Sequence, residues 1–244
     1  SVGGTGWTSP FFAVRAIYSS ANPAPEHTNK YTLVIPGGSD STIQPAGSGY
    51  GSIVVDVSGN VTFKGALGDG TTGSQKTFIN KSGVWPLFVP YKGAGALFGW
   101  MTFTNLNDSD LSGTVYWTKP QSSSSVYPGG FNFPAGIRAI GSVYAFTKGV
   151  PLLNLPAGGL SVLQLGNPVQ SFTNHFTLGS DNKIVSADGL KVKITTSTGL
   201  FKGTAVSLGD GTTVPIAGVL LQKQNAAYGY FLRNGQSGGV NLGQ

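Results

Sequence analysis

The chain has 244 residues, a net charge of +6, no cysteine, 38 glycines and only 10% charged residues. Those figures exclude disulfides, thiolate metal sites and cysteine nucleophiles, and no run of 18 apolar residues is present to form a membrane-spanning helix. The lysines and arginines are scattered without a cluster of five, so the basic stripe expected of a nucleic-acid binder is missing.

An ordinary domain carries about 25% charged residues. A surface built instead from Ser, Thr, Asn and Gln points to an extracellular or cell-surface location. Helical spacing is broken everywhere by Gly or Pro. Strand signals run through the chain in two series. FFAVRAIY (11–18) is an apolar N-terminal strand able to pair with another chain or with the second half. KYTLVI (30–35), GSIVVDV (51–57), NVTFKGAL (60–67), QKTFI (75–79), VWPLFVPY (84–91), LFGWMTF (97–103) and GTVYWTK (113–119) complete the first series. GLKVKITT (189–196), GLFKGTAVSL (199–208), TVPIAGVLLQ (213–222) and AYGYFLR (227–233) form the second. All are short, rich in β-branched and aromatic residues, and bounded by Gly, Asn, Asp and Ser. Such spacing predicts an all-β protein of antiparallel barrels or sandwiches.

The series repeat each other. FKG occurs at 63–65 and 201–203, LGDGTT at 67–72 and 208–213, and RAI at 15–17 and 138–140. A Gly-aromatic pair occurs at 99–100 and 229–230. The order is kept while the offsets drift, so the chain divides into two related halves, 1–120 and 130–244, joined by a linker at 121–129 (QSSSS before YPGGF). SGVWPLFVPYKGAG (82–95) reads as an extra hairpin of the first half. LGDGTT reads as a hairpin turn of type I′, in which glycine supplies positive φ.

Chemistry has few candidates. The titratable set is Glu26, eight aspartates, His27 and His175. Glu26 and His27 are adjacent and point apart on an extended chain. GSGYG (47–51) has glycine where a hydrolase elbow needs serine. No catalytic residue is assigned, and the chain is expected not to be an enzyme. Asp108, Asp110 and Ser112 in NLNDSDLSG have the opening spacing of a calcium loop, without its closing glutamate; calcium is the one cofactor considered. Exposed aromatics beside Asn and Gln would suit a glycan. Trp85, next to Pro86, and Tyr91 are the candidates for that site. Trp100 and Trp117 are expected in the core, and Trp7 lies near the start.

Several stretches resemble a β-rich repeat module of large secreted or surface proteins of environmental bacteria. They include YTLVIPG (31–37), SQKTFINKSGVWPLFVPYKGAGALFGWMTF (74–103), LSGTVYWTKP (111–120) and GVLLQKQNAAYGYFL (218–232). The resemblance implies export, a β fold and a place in a surface assembly; it carries no catalytic residue. The expected role is a structural or adhesive module whose partners are other surface-protein domains, copies of itself or glycans. Carbohydrate binding through exposed aromatics is the alternative, and a secreted hydrolase a disfavoured third. Neither nucleic acid nor membrane insertion is expected.

Overall fold

The computed structural model describes residues 1–9, 15–92, 94–166, 169–206 and 210–243. A small hairpin pairs β1 (Val2–Gly4) with β2 (Trp7–Ser9). Eight strands follow: β3 (Asn29–Ile35), β4 (Gly49–Val55), β5 (Asn60–Ala66), β6 (Thr72–Phe78), β7 (Val84–Pro90), β8 (Ala96–Phe103), β9 (Leu111–Lys119) and β10 (Phe131–Val143). The second eight are β11 (Gly159–Leu165), β12 (Gln170–Leu178), β13 (Ile184–Val185), β14 (Lys191–Thr195), β15 (Leu200–Val206), β16 (Thr213–Leu221), β17 (Ala226–Arg233) and β18 (Gln236–Gly243). Residues 11–14 of the expected first strand lie outside the described residues.

Each set of eight is one antiparallel meander rolled into a nearly closed barrel. In the first, β3 pairs with β10 and the open seam falls between β6 and β7. In the second, β11 pairs with β18 and the seam falls between β13 and β14. The seam of the first barrel is bridged by a side chain: Phe88 N donates to Gln75 Oε1 at 3.0 Å.

Alternation places the cores. In β9, Leu111, Val115, Trp117 and Lys119 are buried while Thr114 and Tyr116 face out. Phe63, Trp85, Leu87, Leu97 and Trp117 fill the first barrel. Phe176, Phe201, Leu220, Phe231 and Leu242 fill the second. The two FKG strands show why glycine is so abundant. Phe63 and Phe201 point inward, each 1% exposed. A Cβ at Gly51 would strike the Phe63 ring, and one at Gly218 would strike the Phe201 ring. Inside a narrow barrel a large ring takes the volume that a neighbouring strand gives up.

The barrels pack on each other through Val34, Tyr50, Ala66, Val219 and Leu221, with Tyr50 stacked on Tyr230 at 5.9 Å. The QKQN stretch is a clasp across this junction. Gln222 exchanges two hydrogen bonds with the backbone of Ala145. Lys223 reaches Asn105 and Asp110 in the first barrel, and Gln224 donates to Asp108 O.

Three expectations are corrected. The joint expected at 121–129 is a loop inside the first barrel, because β10 pairs with both β9 and β3. The barrels are connected by residues 144–158. The supposed extra hairpin is not extra: β7 is a wall strand, and both barrels have eight. The turn at 67–71 is not type I′. Leu67 N donates to Thr71 O and Gly70 N to Leu67 O, and of these residues only Gly70 has positive φ, at +88°. The repeated motif also sits differently in the two barrels, FKG lying on the third strand of the first and the fifth of the second.

Burial pushes the phenols of Tyr31, Tyr127, Tyr144 and Tyr230 up to about 12 from 10.0. Since the folded value is the raised one, this stability is fully present below pH 10 and lost as pH rises toward 12. Alkaline unfolding in that window is expected, with circular dichroism and phenolate absorbance changing together.

Candidate functional site

The outer wall of β7, β8 and β9 carries an aromatic platform. Residues of one face alternate along each strand, so Pro86 and Phe88 of β7, Phe98 and Trp100 of β8, and Thr114 and Tyr116 of β9 share the solvent side. The register aligns them into rows. Phe88 lies opposite Phe98, and Phe98 opposite Tyr116; Pro86 lies opposite Trp100, and Trp100 opposite Thr114. The first row crosses three strands, about 10 Å at the usual strand spacing.

These rings are unusually open. Trp100 is 55% exposed, Phe88 47%, Phe98 45% and Tyr116 42%. Phe98 and Tyr116 stack at 5.7 Å with planes 30° apart. Gly99 makes the surface possible from beneath. It sits between Phe98 and Trp100 on the inner side, where a Cβ would collide with Thr114 O and crowd Val115. Its absence lets β8 lie close on β9. The rings bound a shallow groove of about 240 Å³ lined by no charged residue.

A charged pair lies at the rim. Arg138 of β10 lies opposite Thr114 in the next strand. Its guanidinium grips Asp108 with two bonds, 2.7 and 3.2 Å. That contact, followed by the Ser109 hydroxyl, lowers the Asp108 carboxyl to about 2. The Arg138 charge is thus balanced beside the platform.

A second cleft, of about 740 Å³, opens at the end of the same barrel past Pro90, between Tyr91, Lys92, Ala94 and the serines 122–124. Beneath it lies a buried polar network. Lys119 Nζ contacts Asp69 Oδ2 at 3.1 Å, with side-chain exposures of 6% and 0%. Tyr91 Oη donates to the same oxygen at 2.9 Å and accepts from Trp117 Nε1 at 2.8 Å. Burial first, and then the Asp69 charge, raise the Tyr91 phenol well above its ordinary value.

The residues singled out from sequence fare unequally. Trp85 is fully buried and cannot face a ligand. Trp100 was expected in the core and is on the surface; Trp117 is in the core as expected. Tyr91 is half-buried and lines the larger cleft, tied into the network below it. Asp108 and Asp110, the calcium candidates, are each engaged by a basic side chain. Asp108 is held by Arg138, and Asp110 by Lys223 at 2.6 Å and by Val143 N at 2.8 Å. Ser112 lies in β9, opposite Thr102 and Ile140. Among the described residues no group of three metal-ligating side chains converges. Millimolar calcium or a chelator is expected to leave the melting temperature unchanged in differential scanning fluorimetry.

His27 stacks on Phe103 at 5.1 Å, and His175 Nδ1 meets Asp188 Oδ2 at 2.9 Å on an exposed surface. Phe88, Phe98, Trp100 and Tyr116 were missed as a set. All four lie out of step with the buried Trp85, Leu87, Leu97, Val115 and Trp117, but with apolar residues in both phases the sequence does not mark which phase faces out. No protein-family model matches the chain, and no curated protein matches it.

Proposed function

We propose that this chain is a non-enzymatic adhesive module that binds uncharged polysaccharide through the platform of Phe88, Phe98, Trp100 and Tyr116. One observation carries the reading: four neighbouring aromatic side chains, each more than 40% exposed, aligned in register on one rigid wall. Leaving this much ring surface in water forgoes burial worth about 25 cal/mol per Å², and contiguous exposed apolar patches mark binding sites. The flat C–H face of a pyranose stacks on such rings. Thr114 and the Tyr116 hydroxyl supply polar contacts at the margin.

The lining favours particular ligands. With no charge in the groove and few hydrogen-bonding groups, recognition rests on stacking. A ligand with a long, flat, repeated apolar face fits this best, as on the surface of an insoluble β-linked polysaccharide. The low-charge, cysteine-free composition and the resemblance to bacterial surface modules support an extracellular setting, where the module would tether a larger assembly. The test is a pull-down on insoluble cellulose, chitin and xylan beside soluble oligosaccharides. Retention by an insoluble polymer with a blue shift of tryptophan emission supports the reading. Full recovery in the supernatant on every polymer would reject it.

A further inference from the structure

The buried pair of Lys119 and Asp69 has the parts of a reaction as well as those of an ion pair. We propose that Lys119 Nζ and Asp69 Cγ are joined by an isopeptide bond that closes the first barrel across its seam.

The placement gives the bond its purpose. Asp69 lies in the loop between β5 and β6, on one side of the seam. Lys119 ends β9, on the other side, and Tyr91 follows β7, the strand at the seam. The ladder does not connect β6 to β7. With no cysteine in the chain, no disulfide can hold the two sides. A covalent link here would restrict the unfolded chain as a disulfide does.

The geometry supplies each role. Lys119 Nζ is 3.1 Å from Asp69 Oδ2 and is held there by Val126 O at 2.9 Å and Ser124 Oγ at 3.3 Å. It lies 5.6 Å from the centre of the Tyr91 ring and 6.0 Å from that of Phe131. Fixing amine and carboxyl together replaces a bimolecular encounter, an advantage that reaches about 10⁵ M or more in effective concentration. Condensation needs the free amine, so one proton must pass from Nζ to the carboxylate that it already touches at 3.1 Å. Thr71 N donates to Asp69 Oδ1 at 3.1 Å, where negative charge develops as Nζ adds to Cγ. Tyr91 Oη donates to Oδ2, the oxygen that must leave.

The step balances without an oxidant or cofactor. The Nζ–Cγ bond forms and the Cγ–Oδ2 bond breaks. Of the three ammonium hydrogens, one remains as the amide N–H and two depart with Oδ2 as water. Tyr91 relays a proton and recovers it. The cleft above the network gives the water an exit.

Intact mass spectrometry of the purified chain tests this. The wild type is expected one water lighter than its sequence mass. After digestion, a branched peptide should join the Asp69 segment to the Lys119 segment. Lys119→Arg keeps the charge pair and cannot condense, so it should show the full mass. Tyr91→Phe should accumulate unlinked chain, and complete linkage in that variant would remove Tyr91 from the step. Wild type at full sequence mass would overturn the proposal. So would a water loss that persists in Lys119→Arg and is opened by hydroxylamine, which marks a cyclic imide at Asp69–Gly70.

Discussion

Trp85→Ala should destabilise the protein by about 3–5 kcal/mol, the cost of removing a large aromatic from a packed core. Trp85 is fully buried in the first barrel, opposite the sulfur-bearing side chain of Met101 across the sheet. Its removal leaves a cavity inside the barrel, behind the wall strand next to the seam. The indole N–H is buried and has no acceptor among the described residues. Trp85→Phe deletes that unsatisfied donor and keeps most of the ring, so it should cost much less than Trp85→Ala. Urea unfolding of both variants checks the order. Equal losses would mean that the ring's volume is not what the site requires.

Trp100→Ala should do the opposite. The ring is 55% exposed, so the expected change in stability is within about 0.5 kcal/mol. Adsorption to the polymer should fall roughly 30-fold, as for loss of an interface tryptophan worth about 2 kcal/mol. Phe98→Ala should act in the same direction and combine non-additively with it, since the two residues share one groove. A Trp100→Ala protein that unfolds early would place the ring in the core. One that folds and still binds normally would detach the platform from function.

This pair of tryptophans shows what sequence conveys and where it stops. The all-β class, the two halves and most strands follow from periodicity and turn residues. The side of the sheet does not follow in VWPLFVPY, because apolar residues occupy both phases. Trp85, Leu87 and Val89 face in while Pro86, Phe88 and Pro90 face out, and nothing polar marks the outer phase. A functional apolar surface erases the contrast on which such inference depends. Strand β10 was hidden by Pro134 and Gly136, which sit in a bulge between Phe133 and Ile137. Strand β18 was hidden by Gly238 and Gly239, and a Cβ at Gly238 would strike the Phe231 ring.

The Asp69 network was hidden for a different reason. Two identical LGDGTT segments suggest one shared role, and the structure gives their aspartates different surroundings. Asp69 is buried with Lys119, whereas Asp210 is about half exposed and pairs with Arg233 at 2.7 Å. A local contact is common to both, Thr71 N donating to Asp69 Oδ1 and Thr212 N to Asp210 Oδ1; the partner comes from a strand 50 residues away in the first case. Only tertiary structure brings that lysine in. The same holds for Arg138, whose RAI tripeptide signals a repeat but not its grip on Asp108.

The measurement closest to the central claim is an adsorption isotherm of the wild-type chain on microcrystalline cellulose and on chitin, run beside the Phe98→Ala/Trp100→Ala variant. The platform predicts saturable binding to at least one polymer that resists high salt and is lost in the variant, with both proteins melting at the same temperature. Indistinguishable isotherms for the two proteins, or binding abolished by salt alone, would contradict it.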